Sequence, residues 1–198
     1  MKEEERQQRH EAISAAAYEQ LARHGYGGAS MLRIARAARA SNETLYRWYG
    51  DKDGLFTAMA RDNAAKARLL LEAALEGRGE PMADLDRVAP VFLEMLLGER
   101  AVLLNRAAAA DPSGRLGAAI SAGGRREIAP LFARLMRRVC AGRSTGPEEA
   151  ADWFLSLLIG DRQVKRIITE IPAPAPAEIE ARCRRALFAF RRLIEARR

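Results

Sequence analysis

The sequence predicts an all-α protein, and three observations carry that reading: alanine and arginine are abundant, β-branched residues are sparse, and no stretch keeps an apolar residue at every second position. Glycine and proline then mark the breaks. The first helix is expected from about Glu3 to Arg23, because Ile13, Ala16, Ala17 and Leu21 recur at three- and four-residue spacing and Gly25 suits the left-handed position after a helix end. Ser30 is placed to cap a short helix with Met31, Ile34, Ala35 and Ala38 on one face, and Ser41 to cap another holding Leu45. A fourth helix is expected from Asp51 through Leu55, Phe56, Met59, Leu69 and Leu75 to near Gly77, ahead of a loop at Gly79 to Pro81. Further helices are expected near 84–97, 99–110 and 114–122, and, beyond a break at Gly123 and Gly124, near 125–140.

Pro147 followed by Glu148 and Glu149 suits a helix first turn. Behind it Trp153, Phe154, Leu157, Leu158, Val164, Ile167 and Ile168 form one broad apolar surface that ends at the proline-rich linker Pro172 to Pro176. After that stiff spacer, Ile179, Cys183, Leu187, Phe190 and Ile194 repeat at four, four, three and four residues. Together with Trp153 and Leu157, this stripe is the expected interface between two copies of the chain; the alternative is packing against its own domain.

Composition excludes several classes. With 198 residues, 48% hydrophobic and 30% charged, the chain holds one ordinary globular domain or two small ones and is too short for a large multidomain enzyme. No window approaches the roughly 18 apolar residues of a membrane span, and Met1 to Glu11 is charged with no apolar stretch behind it, so a soluble, cytoplasmic protein without membrane contact is expected. Two cysteines, Cys140 and Cys183, exclude a disulfide scaffold and a zinc finger; both read as small apolar helix residues, and no metal or cofactor is expected. His10 is expected in solvent and His24 packed or capping at the end of the first helix. No nucleophile–base pair, carboxylate cluster or phosphate loop is present, and the glycines at 25–28 lack the strand context of a nucleotide loop, so no catalytic residue is assigned and no enzyme is expected.

Lys and Arg number 33 against 26 Asp and Glu, a net charge of +7 that is compatible with a nucleic-acid partner. Much of the excess lies at Arg182, Arg184, Arg185, Arg191, Arg192, Arg197 and Arg198, read as a solvated helix face, whereas the first fifty residues are nearly balanced.

The informative segment is Ala29 to Phe56. A helix of roughly eight residues, a turn of three or four, and a second helix opened by a polar cap describe a helix-turn-helix. Ile34, Ala35, Ala38 and Leu45 hold the pair together, which leaves Asn42, Glu43, Thr44, Tyr46, Arg47 and Trp48 on or near the outer face. Hydroxyls, an amide, a guanidinium and aromatic rings are the groups that meet phosphates and base edges in a major groove.

The run GYGGASMLRIARAARASNETLYRWYGDKDGLF resembles the DNA-binding segment of TetR-type transcriptional regulators. More weakly, WFLSLLIGD resembles an AefR-like subgroup in the C-terminal part. The resemblance implies a helix-turn-helix domain over residues 1–56 and a helical effector-binding and dimerisation domain over 57–198. Carried over residue by residue, it makes Ser30 the cap and phosphate contact, with Arg33 nearby. It gives Asn42, Glu43, Thr44 and Arg47 base edges and sugars to contact, and Tyr46, Trp48 and Lys52 phosphates.

Two departures stand out. Arg39 replaces the usual turn glycine, at a cost of roughly 1 kcal/mol if φ is positive there, and the Glu43 carboxylate is repelled by phosphates unless it accepts from a cytosine amino group. Trp48 and Tyr49 replace smaller or more apolar residues, and Tyr49 and Phe56 read as core.

The implied protein is a homodimeric repressor on an inverted-repeat operator in double-stranded DNA, released by a hydrophobic or aromatic small molecule. Phe92, Met95, Leu103, Phe132, Met136, Trp153 and Phe154 are the expected wall of its pocket, with Asn105, Arg106, Asp161 or Arg162 as a polar handle. The alternative is a helical ligand-sequestering or protein-interaction module without sequence-specific DNA binding.

Overall fold

Residues 3–195 are described by a computed structural model, so Arg197 and Arg198 lie outside the described residues. Every regular element among the described residues is helical: α1 (Glu3–Gly28), α2 (Met31–Ala37), α3 (Asn42–Tyr49), α4 (Lys52–Glu76), α5 (Pro81–Leu97), α6 (Glu99–Ala109), α7 (Arg115–Ile120), a wider helical turn at Ser121–Arg125, α8 (Arg126–Val139), α9 (Pro147–Ile159), α10 (Arg162–Ile167) and α11 (Pro176–Glu195). No helix among them is long and apolar enough to cross a membrane.

The chain divides into two compact units, and the division differs from one at residues 56 and 57. That point falls inside the unbroken helix α4. The described residues up to Asn63 are joined by Leu103–Gly124, which brings the end of α6 and all of α7 into the N-terminal unit. Ile13, Ala17, Leu21, Ile34, Leu45, Leu55 and Phe56 form its core together with Leu104, Leu116 and Ala119 from the later stretch. The expected break at Gly123–Gly124 is absent, because the helical path continues through Ser121–Arg125. Gly123 is buried there, and a Cβ on it would stand 2.0 Å from the Thr57 carbonyl oxygen, so the backbone approach requires glycine.

One helix end falls where the sequence places it, and one helix start falls earlier. Gly25 has φ +64 and interrupts α1 after its long first part. Pro81, expected in the loop ahead of a helix starting near residue 84, instead sits in the first turn of α5, where its missing N–H costs nothing. Leu69 is a correction: it is 58% exposed, and Leu71 takes the core position on α4.

The second unit packs α9 against α8 and α11, and α5 against α8 and α11. The apolar surface expected to run unbroken from Trp153 to Ile168 is split at Gly160, whose φ of +56 ends α9 and lets α10 leave in a new direction. Val164 on that short helix and Ile168 just after it are 60% and 61% exposed.

The stripe expected between two copies is a larger correction. Ile179, Cys183, Leu187, Phe190 and Ile194 all lie in the core of their own unit, Phe190 at 0% exposure, because α5 and α9 of the same chain cover that face of α11. Trp153 and Leu157 are half-buried.

The expected effector wall is packed as well. Phe92 stacks on Phe132 at 6.0 Å between ring centroids, Phe132 meets Phe154 at 6.0 Å, and Phe154 meets Phe190 edge to face at 5.3 Å. Met136 is fully buried among them and Met95 packs on this core from its edge. Leu103, with Asn105 and Arg106, belongs instead to the N-terminal unit. A surface cavity of 520 Å³ opens in the second unit at the α8–α9 loop, lined by Ala141, Gly142, Arg143 and Ser144. Both cysteines are buried, and burial raises both thiol pKa values, that of Cys183 to about 11, which keeps them protonated and poorly nucleophilic.

Candidate nucleic-acid interface

The geometry of the helix-turn-helix begins with its caps. Ser30, extended at φ −131, accepts the Arg33 N–H at 3.3 Å and opens α2; Ser41 accepts the Thr44 N–H at 3.0 Å and opens α3. Each bond satisfies one of the donors that a helix start leaves unpaired, and each is worth about 1 kcal/mol. Met31, Ile34 and Ala35 face the core from α2, and Leu45, 0% exposed, anchors α3 against them.

The turn between these helices answers the question posed by Arg39. The Ala40 N–H bonds the Ala35 carbonyl at 2.9 Å and the Arg39 N–H bonds the Arg36 carbonyl at 3.2 Å, the paired closure of a Schellman motif. Arg39 occupies its left-handed position with φ +51. A side chain there is strained by about 1 kcal/mol, which the buried faces of α2 and α3 offset.

Asn42, Glu43, Tyr46 and Arg47 are exposed on α3, at the spacing that puts them along one side of a helix two turns long. Tyr46 is half-exposed although aromatic. Arg33, Arg36 and Arg39 are exposed on the preceding helix and turn, so with Arg47 the segment exposes four arginines against the one carboxylate of Glu43. Charge averaged over the first fifty residues hides this local basic surface. Glu43 sits in the first turn of α3, where the helix dipole favours an anion.

Other expected contact residues are engaged within the chain. The Thr44 hydroxyl lies 2.8 Å from Ser41 Oγ and belongs to the cap. Arg33 donates to the Gly28 carbonyl at 3.3 Å. Trp48 is half-buried, with the Arg6 guanidinium 5.8 Å from its ring centroid and Tyr49 edge-on at 6.2 Å. Lys52 donates to the Tyr26 carbonyl at 2.7 Å and the Ala29 carbonyl at 3.2 Å, and its ammonium lies 4.0 Å from the Tyr26 ring centroid. Burial, and then the charge of Arg115, lower its pKa.

Sequence reasoning missed a set of residues that hold α2 and α3. His10 is half-buried rather than solvated, because its ring nitrogens bond Tyr49 and Asp62. Tyr26 donates its hydroxyl to Asp53, and Arg115 of α7 donates to the same carboxylate. His24, expected to pack or cap, is exposed. The one local signal for the His10 contact was the hydroxyl of Tyr49 at a position where an apolar ring would serve.

Residues 13–59 match the family described as bacterial regulatory proteins, tetR family. The chain is 41% identical over 46 residues to the HTH-type transcriptional repressor AcnR of Corynebacterium glutamicum, covering 23% of this chain and 24% of that protein. It is 31% identical over 90 residues to the HTH-type transcriptional repressor SCO4008 of Streptomyces coelicolor, covering 44% and 47%. The chain thus spans between a quarter and a half of the length of these relatives. Among solved structures, a TetR transcriptional regulator from Agrobacterium tumefaciens has TM-score 0.70 at 27% identity, covering 96% of this chain and 98% of that one. The regulator FadR from Bacillus subtilis, solved with stearoyl-CoA, shares the fold at TM-score 0.68 and 12% identity, covering 90% and 96%.

Proposed function

We propose that this chain, whose residues 13–59 belong to the tetR family of bacterial regulatory proteins, is a DNA-binding transcriptional regulator that acts as a repressor. The observation that carries the reading is α3 itself. It is a capped helix anchored by Leu45 that turns Asn42, Glu43, Tyr46 and Arg47 to solvent beside Arg33, Arg36 and Arg39. An amide, a phenol and a guanidinium on such a helix suit base edges and phosphates, and the arginines supply the electrostatic term that binds any duplex. Repression follows the relatives, which are named as repressors.

The operator is an inverted repeat read by two copies, since one helix two turns long contacts only a few base pairs and paired half-sites lie about 34–36 Å apart. The copies meet on side chains that their own unit leaves exposed or covers only in part: Phe188, 63% exposed, with Leu193 and the half-buried Trp153 and Leu157. A small apolar or aromatic molecule releases DNA by binding more tightly to the head spacing that does not fit the operator, because equal affinity for both spacings shifts nothing. Its room comes from rearrangement of the packed Phe92, Phe132 and Phe154 rings.

Salt titration of duplex binding tests the reading. A steep fall of affinity with salt, reduced by Arg47→Ala and retained in preference for one sequence, supports it; weak binding without sequence preference supports a sequestering or interaction module instead.

A further inference from the structure

We propose that His10 is a positioning residue for DNA reading: it latches α1 to the end of α3 and to α4, and its protonation tightens operator binding. The proposal rests on the DNA-reading function inferred above. His10 Nδ1 lies 2.7 Å from the Tyr49 hydroxyl oxygen and Nε2 lies 2.5 Å from Asp62 Oδ2, so one imidazole joins residues 39 and 52 positions away. The His10 and Tyr49 rings face each other at 6.0 Å and 40°. One turn earlier on α1, Arg6 stands over Trp48. The last two residues of α3 are therefore both gripped by one side of α1.

This grip matters because α3 has eight residues and one fully buried side chain, Leu45. A helix of that length holds no orientation unaided. Pinning its far end at Trp48 and Tyr49 fixes the direction in which Asn42, Glu43, Tyr46 and Arg47 point.

Protonation strengthens the latch without rearranging it. In the neutral ring, Nε2–H donates to Asp62 and Nδ1 accepts the Tyr49 O–H. In the imidazolium both nitrogens donate, the Tyr49 oxygen accepts, and the pair with Asp62 becomes charge-assisted. The groups facing the ring are Arg6 and Glu11 from α1, Tyr49 from α3 and Asp62 from α4. The Asp62 hydrogen bond, aided by the charges of Asp62 and Glu11 and opposed by burial and Arg6, holds the His10 pKa above its ordinary value. Tyr49, pushed up to about 12 mainly by burial, keeps its proton throughout. DNA phosphates arriving beside α3 favour the imidazolium further, so operator binding takes up a proton and weakens as pH rises through the His10 transition.

Operator affinity is measured from pH 5.5 to 8.5 at constant ionic strength for the unaltered protein, His10→Gln and Tyr49→Phe. The unaltered protein is expected to lose about tenfold in affinity across the range, the equivalent of one pKa unit gained on binding. His10→Gln, which keeps a neutral hydrogen-bonding side chain, is expected to give a flat profile, and Tyr49→Phe, which frees α3 from the ring, a shallower one. A flat profile for the unaltered protein, or an unchanged slope in His10→Gln, overturns the proposal. Amide exchange of Trp48, Tyr49 and Gly50 without DNA, corrected for intrinsic rates, gives a second reading: protection falls with pH in the unaltered protein and not in His10→Gln. If no duplex is bound at all, the DNA-reading function fails while the exchange profile still decides whether the latch exists.

Discussion

Arg115 on α7 grips Asp53 on α4 across 62 residues of sequence, its Nε–H donating to Oδ2 at 2.9 Å while a terminal nitrogen stands 2.8 Å from the same oxygen. Asp53 also receives the Tyr26 hydroxyl, and its neighbour Lys52 closes over the Tyr26 and Ala29 carbonyls. A stretch from the middle of the chain thus secures the turn that precedes α2. The helix-turn-helix is held in place by an arginine more than sixty positions beyond α3.

This arrangement predicts unequal effects on stability. Leu116→Ala, at a site with 0% exposure in the N-terminal core, is expected to cost about 2–5 kcal/mol in denaturant unfolding. Arg115→Ala removes an ion pair whose arginine is 60% exposed and is expected to cost far less. A Leu116→Ala variant as stable as the unaltered chain would contradict the placement of Leu103–Gly124 in this core.

Two left-handed residues mark removable strain. Arg39 at φ +51 and Thr169 at φ +67 both close helix ends in which the next N–H bonds back five residues, Ala40 to Ala35 and Glu170 to Lys165. Replacing either by glycine is expected to raise stability by about 1 kcal/mol, with an unchanged dependence on denaturant. A loss of stability in both variants would contradict the left-handed assignment.

Phe188 and Phe190 separate the proposed interface from the core. Phe190→Glu places a charge at a site with 0% exposure and is expected to unfold the second unit, seen as loss of cooperative melting. Phe188→Glu, at 63% exposure, is expected to leave the fold intact and to shift the protein to monomer in analytical ultracentrifugation. A folded Phe188→Glu dimer would remove Phe188 from the interface.

Lys52 serves the fold before it serves any phosphate. Lys52→Ala is expected to lose about 1–2 kcal/mol of stability with its two carbonyl bonds. If the ammonium also meets DNA, the logarithmic salt slope of binding falls by about one. An unchanged slope alongside the stability loss assigns Lys52 to the fold alone.

Local chemistry made the helix-turn-helix legible: the Ser30 and Ser41 caps, the buried side of α2 and Leu45 all follow from spacing and side-chain type. The fold class followed from composition and helical period. Contacts between distant parts of the chain were not legible, because nothing local couples residue 10 to residues 49 and 62, or residue 115 to residue 53. The apolar stripe on α11 misled for a related reason. Periodicity identifies a face that must be covered but not what covers it, and α5 and α9 of the same chain cover this one. Gly160 was visible as a residue, but its positive φ, which splits α9 from α10, was not.

The most direct test of the central claim is selection of duplexes from a random or genomic DNA pool by the purified, folded, ligand-free protein, with enriched sites retested at two salt concentrations. The account predicts an enriched inverted repeat whose half-sites are separated by about one helical turn or a multiple of it, bound more weakly at higher salt. No enrichment over the input pool would contradict a sequence-specific regulator.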